Sequence, residues 1–223
     1  MMHTEILDAA RVLLLSRLIA LPELSPFTLG GGTALSLQMG LRVSHDFDFF
    51  SERGFSPDHL LSVLRRAFPR LHVLQLVAGT CDVTIDGVQV SFFHYPYPMA
   101  APPVGGGEEF PQLRMLSVAD IAAMKLSAIG SRGSRKDFYD LFQILHLCPD
   151  LTPQRLLDGV HRKYGDLRDV GYMLMGLVYF EDAEHEHLPK TFVPADWDDI
   201  KAYFRSVQAD FYAVEDRRLT PDP

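Results

Sequence analysis

Cysteine is scarce in this chain: Cys81 and Cys148 are the two thiols among 223 residues. Two thiols exclude a disulfide framework. Cys81 falls in a strand-like stretch and Cys148 at the end of a helix-like one, so both read as reduced core thiols of a cytoplasmic protein. Positive charge is also short, with 21 Lys and Arg against 29 Asp and Glu and a net charge of −8. That balance excludes a surface that grips nucleic acid over its whole extent. It leaves room for local clusters, of which Arg132, Arg135 and Lys136 form one. Arg65, Arg66 and Arg70 read as exposed helix and loop charges. No apolar run is long enough to cross a bilayer. The leucine-rich stretch 12–21 is broken by Arg17 and preceded by Glu5 and Asp8, where a secretory signal carries positive charge. It reads as an amphipathic helix. Internal repeats, CxxC, HExxH and G-x-S-x-G are all missing. Glu184-His185-Glu186-His187 lacks the spacing that puts two histidines on one helical face, and reads as a solvated connection.

What remains is a composition of 47% hydrophobic and 22% charged residues, enough for a substantial core. Hydrophobic period and capping residues predict a helix over about 5–20 and a short strand at Phe27–Leu29. Thr33 is expected to cap a helix 34–39 that stops at Gly40, before a strand over 43–50. A helix opening at Pro57-Asp58 buries Leu60, Leu61, Leu64 and Phe68. A strand is expected over 71–77, then a hairpin of 81–85 and 88–95 around the type I′ dipeptide Asp86-Gly87. The Gly- and Pro-rich segment 97–110 reads as a mobile loop. Helices are predicted over 117–129 and 136–147, after Thr152, over 167–180 and over 197–212, with a frayed tail from Arg217. The chain is expected to divide into a core, residues 1–150, and a helical region, 151–223.

Two clusters carry chemistry. Gly30-Gly31-Gly32-Thr33 joins a strand to a helix N-terminus, where unpaired N–H groups and the helix dipole attract phosphate. It is neither a Walker A loop nor GxGxxG, so alone it also suits a plain tight turn. Asp46 and Asp48 stand two apart in a strand pattern and so share one face. Two carboxylates there supply the half-site that magnesium completes with substrate phosphate oxygens. A solvated strand edge is the other reading, against which stands the rarity of Asp in strands. Further along, Lys125 lies in the apolar stripe Val118, Ile121, Ala122, Ile129, and Asp137 and Asp140 share a face of the next helix. A lysine in an apolar face either snorkels or meets a buried anion, and the carboxylates also suit a buried structural ion pair or an Asp at the helix dipole.

The stretches 31–35 and 40–50, with 124–129 and 132–141 downstream, resemble the motifs of the AbiEii/AbiGii-type nucleotidyltransferase toxins. These belong to the DNA polymerase β-like nucleotidyltransferase superfamily, and the resemblance covers about 28–145. It implies an α+β fold, with a small mixed β-sheet, flanking helices and a helical C-terminal portion. It implies a transferase that uses an NTP with Mg2+ or Mn2+, acts in some members on the 3′ end of tRNA, and is paired with an antitoxin. By position, Asp46 and Asp48 would hold the metal, and Gly31, Gly32 and Thr33, with Arg42 and Ser44, would bind the nucleotide. Lys125 would neutralise phosphate charge, and Asp137 would be the late catalytic carboxylate.

One departure matters. Ser91 stands where many superfamily members carry a third carboxylate. With a two-residue turn at Asp86-Gly87, Asp82 lies opposite Ser91 on the same sheet face and would substitute for it; Asp137 would equally supply the charge, and Asp140 is an additional candidate. Arg132 and Lys136 would receive a phosphate backbone. Two rival readings stand beside this one: a degenerate core that binds a nucleotide or partner without turnover, and a transferase acting on a small molecule or protein.

Overall fold

The computed structural model describes residues 2–165 and 169–220. The chain divides into two compact units, one up to Ser117 and one from Val118 onward. The division lies earlier than residue 150, because the helices spanning 118–147 share their core with the helices that follow them.

The first unit is built on β1 (Thr28–Gly30), β2 (Phe47–Ser51), β3 (Leu71–Val77), β4 (Thr80–Ile85), β5 (Val88–His94), β6 (Val104–Gly106) and β7 (Phe110–Met115). Among the described residues these strands form one mixed sheet in the order β3-β4-β5-β2-β1-β7-β6. The β1–β7 and β2–β5 pairs are parallel and the others antiparallel. Alternation sorts the residues: Leu29, Phe47, Phe49, Cys81, Val83, Val90 and Phe92 are buried on one face. Phe49 stacks on Phe92 with centroids 5.3 Å apart, and Phe27 meets Phe92 edge-on at 5.2 Å. Burial pushes the Cys81 thiol up to about 11, with the charges of Asp82 and Asp58 adding to it. That thiol is inert.

The connections follow from local chemistry. Asp86 and Gly87 both take positive φ, 51° and 83°, as a type I′ turn requires. Helices α1 (Ala9–Ile19), α2 (Gly31–Met39) and α3 (Pro57–Ala67) complete this unit. Asp8 caps α1 by accepting from the Arg11 amide at 2.8 Å. Ser56 caps α3, whose Pro57 sits where a missing N–H costs nothing. Gly40 ends α2 in the left-handed region, φ 65°. The loop expected over 97–110 contains β6, paired with β7. Glycine and proline content concealed this edge hairpin.

The second unit is helical: α4 (Val118–Ser131), α5 (Arg135–Leu147), α6 (Pro153–Tyr164), α7 (Val170–Gly176), the short α8 (Glu181–Glu184) and α9 (Trp197–Leu219). Of the helix expected over 167–180, residues 167 and 168 lie outside the described residues, and α7 ends at Gly176. α9 runs past the expected Tyr212, and 221–223 lie outside the description. α4 packs against α5, α6 and α7. It is buried beyond its apolar stripe, with Asp120 and Ser127 buried as well. Asp120 meets Lys163 at 2.9 Å, a fully buried ion pair between α4 and α6. Among the described residues no helix is long and apolar enough to cross a membrane.

Candidate active site

β2 begins at Phe47, later than the strand expected over 43–50, so Asp46 lies just ahead of the strand and Asp48 within it. The reason is local. Thr33 and Ser44 hydroxyls lie 2.6 Å apart, and Thr33 donates to the main-chain carbonyl of Asp46. A hydroxyl has one hydrogen, so Ser44 donates to Thr33 in this arrangement. Arg11 on α1 adds a bond from Nε to the His45 carbonyl, 3.0 Å. These contacts hold 44–46 to α1 and α2 instead of to a neighbouring strand. Thr33 is therefore not the cap of α2. It lies two residues inside the helix, and its side chain ties the glycine turn to the Asp46 loop.

Both glycines after Gly30 are set by their neighbours. A Cβ on Gly31, which has φ +63°, would sit 2.6 Å from Asp48 Oδ2. One on Gly32 would collide with the Arg42 guanidinium. The carboxylate of Asp48 and the cation of Arg42 thus lie directly against the backbone that opens α2. No side chain caps that first turn, where N–H groups have no partner within the helix. Arg42 is buried and also donates from Nη1 to the Val43 carbonyl, 3.2 Å. Ser44 is buried, Asp46 exposed and Asp48 half-buried.

Sheet register places Asp48 in a transverse row. Asp48 is opposite Gly30 on one side and Ser91 on the other, and Ser91 is opposite Asp82. Paired residues share a face, so Asp48, Ser91 and Asp82 project together from strands about 4.8 Å apart. Ser91 Oγ donates to Asp82 Oδ1 at 2.9 Å, and Gln89 Nε2 reaches both Asp82 oxygens at 3.2 and 3.0 Å. Gln89 escaped sequence reading, although its position two before Ser91 placed it on this face. Further along, Phe50 stacks on Phe93 at 5.5 Å, and Tyr95 packs edge-on against Phe50 and Tyr97.

Magnesium demands near-ideal octahedral coordination by oxygen ligands. Among the described residues no three or more His, Cys, Asp and Glu side chains gather into a metal cage. Asp48 lies beside the uncapped start of α2 and Asp46 two residues before it on the loop that Thr33 holds, so this segment supplies two carboxylates. This is the protein's usual share when phosphate oxygens and water fill the rest of the shell. In number and type these side chains fit that ion.

In the second unit Lys125 is the hub. Its Nζ lies 2.8 Å from Asp137 and 2.7 Å from Asp140, both fully buried. Asp137 also accepts from Arg132 Nε at 3.0 Å and from Ser134 Oγ at 2.7 Å. Burial alone would raise the Asp137 pKa, but the Lys125 and Arg132 charges outweigh it and hold this carboxyl well below the usual range. Two cations therefore face two carboxylates across the α4–α5 junction. Ser134, three before Asp137, was not singled out from the sequence. Lys136 is exposed on α5. The 184–187 stretch holds no metal cluster: Glu184 bonds Trp197 and Lys201, and Glu186 accepts from the Arg135 amide.

The sequence model of the family described as "Nucleotidyl transferase AbiEii toxin, Type IV TA system" matches residues 13–217. An uncharacterized protein of Aquifex aeolicus (strain VF5) is 33% identical over 194 residues, 86% of this chain and 90% of its own. Among solved structures, MenT4, a nucleotidyltransferase toxin of Mycobacterium tuberculosis H37Rv, superposes with a TM-score of 0.58 at 18% identity, covering 93% of this chain and 84% of that one. A structure from H. pylori gives 0.55 at 15% identity, over 95% and 98% of the two chains. The structural likenesses establish the nucleotidyltransferase fold, and the sequence match extends over nearly the whole chain. The chain belongs to the AbiEii nucleotidyltransferase toxin family of Type IV toxin–antitoxin systems.

Proposed function

We propose that this nucleotidyltransferase moves a nucleotide from an NTP onto an acceptor hydroxyl of RNA, with the 3′ end of tRNA as the acceptor class. Mg2+ or Mn2+ held by Asp46 and Asp48 would offset charge on the phosphates and lower the pKa of an attacking hydroxyl. The observation that carries the reading is the joint placement of Asp48 and Arg42 against Gly31 and Gly32 at the uncapped start of α2. The first-turn N–H groups would take phosphate oxygens, and Arg42 would add positive charge at the same turn. Thr33 and Ser44 would fix the Asp46 loop. Asp82, oriented by Gln89 and Ser91, would be the additional carboxylate on this face.

Family membership brings a nucleotide substrate and an antitoxin counterpart. An NTP substrate and two free cysteines support a cytoplasmic setting. For Lys125 and Asp137 the resemblance supplies phosphate neutralisation and a catalytic carboxylate. Their burial and mutual pairing support a further duty, fastening α4 to α5. Arg132 and Lys136, both exposed, would be the local cations available to a phosphate backbone.

The test is incubation with each α-labelled NTP, Mg2+ or Mn2+, and total RNA. Label should enter tRNA with the native chain and fail to enter with Asp48→Ala, whose melting temperature should be unchanged. Equal labelling by Asp48→Ala would remove Asp48 from the chemistry. Tight NTP binding without any labelled product would favour the non-catalytic module.

A further inference from the structure

Away from the carboxylate row, the second unit holds a cavity of about 400 Å3 between the end of α4 and the segment from α7 into α8. Its floor is backbone. A Cβ on Gly176 would lie 2.8 Å from the Gly130 Cα, and one on Gly130 would lie 2.7 Å from the Met173 Cα. The two helices cross so closely there that no side chain rises from the crossing. The rim is the reverse: Tyr172, Met175 and Tyr179 are 63%, 62% and 49% exposed. Large apolar side chains kept in water around one hollow mark a recognition site. Tyr179 is steadied by a bond from its hydroxyl to Glu181, 3.2 Å.

The polar groups at this cavity are of two kinds. Arg132 presents a side chain that is 62% exposed, while its Nε is pinned to the fully buried Asp137. Its guanidinium plane is therefore held in a fixed orientation. Asp182 is an exposed carboxylate that also lines the cavity. Flat aromatic rings, an oriented guanidinium and a hydrogen-bond acceptor are the groups that recognise a nucleobase. The rings and guanidinium stack on its π-face, and the carboxylate accepts from an exocyclic amine. A cavity of this volume suits a nucleoside-sized ligand.

We propose that this α4–α7 cavity is a nucleobase-binding site, with Tyr172, Tyr179 and Arg132 stacking on the base and Asp182 accepting from its amine. The idea that a base is presented to this protein at all rests on the nucleotidyltransferase reading. The base has two sources, the NTP or the end of a single-stranded RNA acceptor, and one experiment separates them.

Equilibrium binding of each NTP and of short single-stranded RNA oligonucleotides is measured without turnover, on the full chain, Tyr172→Ala and Tyr172→Phe. Tyr172→Ala should weaken binding by about 5- to 150-fold, the range for a base losing a stacked aromatic ring. Tyr172→Phe should bind like the native chain. Weakening for RNA alone assigns the site to the acceptor, and weakening for NTPs assigns it to the donor. Met175→Trp, which narrows the mouth, gives a second reading with unchanged melting temperature. Unchanged affinity for every nucleotide and RNA in Tyr172→Ala, Tyr179→Ala and Met175→Trp overturns the proposal. Because binding is read directly, a chain that binds bases here yet transfers nothing would defeat the transferase reading alone.

Discussion

The two units treat their carboxylates in opposite ways. In the first, Asp46 is exposed and Asp48 half-buried, beside a helix start that no side chain caps. In the second, Asp120, Asp137 and Asp140 are fully buried, each against a lysine within 3 Å. Desolvation makes a buried charge costly unless it is paired and hydrogen-bonded, so carboxylates so enclosed bear on the stability of the fold whatever else they do. Asp46 and Asp48 stand at or near solvent, so removing their charge should cost the fold less. The contrast teaches that burial, and not acidity alone, decides how much of a carboxylate's loss is felt as stability.

Removing one cation from the second unit should break the comparison most forcefully. Lys125→Met strands Asp137 and Asp140 without their shared ammonium, and should cost about 3–5 kcal/mol in denaturant unfolding. Replacing Asp137 and Asp140 by Asn and Leu in the same chain should recover much of that loss. No recovery would mean that Lys125 stabilises through packing and not through charge.

Asp48→Asn should act in the other direction. Several kcal/mol of transition-state charge stabilisation is at stake, about 10²- to 10³-fold in transfer rate, with less than about 1 kcal/mol lost in unfolding. Gly31→Ala is a companion at the same turn, since its methyl would press on the Asp48 carboxylate. It should lower transfer and also destabilise by about 1 kcal/mol or more, because φ is +63° there.

A milder effect concerns pH. Asp137 carries a depressed pKa in the fold, so below about 4, the ordinary unfolded value, the unfolded chain binds the extra proton. Its contribution is complete above that pH and declines as pH falls toward the folded value. The native chain should therefore lose stability more steeply between pH 4 and 3 than Asp137→Asn. Matching slopes would deny the ion pair its part. The smallest effect is expected at Ser91→Ala, which removes one bond to Asp82 and leaves Gln89 holding both oxygens. It should cost about 1 kcal/mol and reduce transfer only modestly.

Much of this was legible in the chain. Asp86-Gly87 set the hairpin register, and that register put Asp82 opposite Ser91 as anticipated. Pro57, Thr152 and the terminator Gly40 bound their helices as expected, whereas α1 starts at Ala9 behind its cap Asp8 and not at residue 5. Other features depended on contacts that no local pattern encodes. Thr33 looked like a cap, but its hydroxyl is drawn to the Asp46 loop eleven and thirteen residues ahead. The burial of Asp120 depends on α6, which brings Lys163 to it from 43 residues away. β6 and β7 were hidden because glycine and proline favour loops, whereas here they form an edge hairpin. Gly31 and Gly32 announced a tight turn, while their deeper reason, room for Asp48 and Arg42, needed coordinates.

The most direct measurement is Mn2+ binding, followed by electron paramagnetic resonance in the presence of NTP. The native chain and Lys136→Ala should bind one ion, while Asp46→Asn and Asp48→Asn should release it at equal fold stability. Retention of bound Mn2+ by the Asp46→Asn/Asp48→Asn double variant would contradict the account.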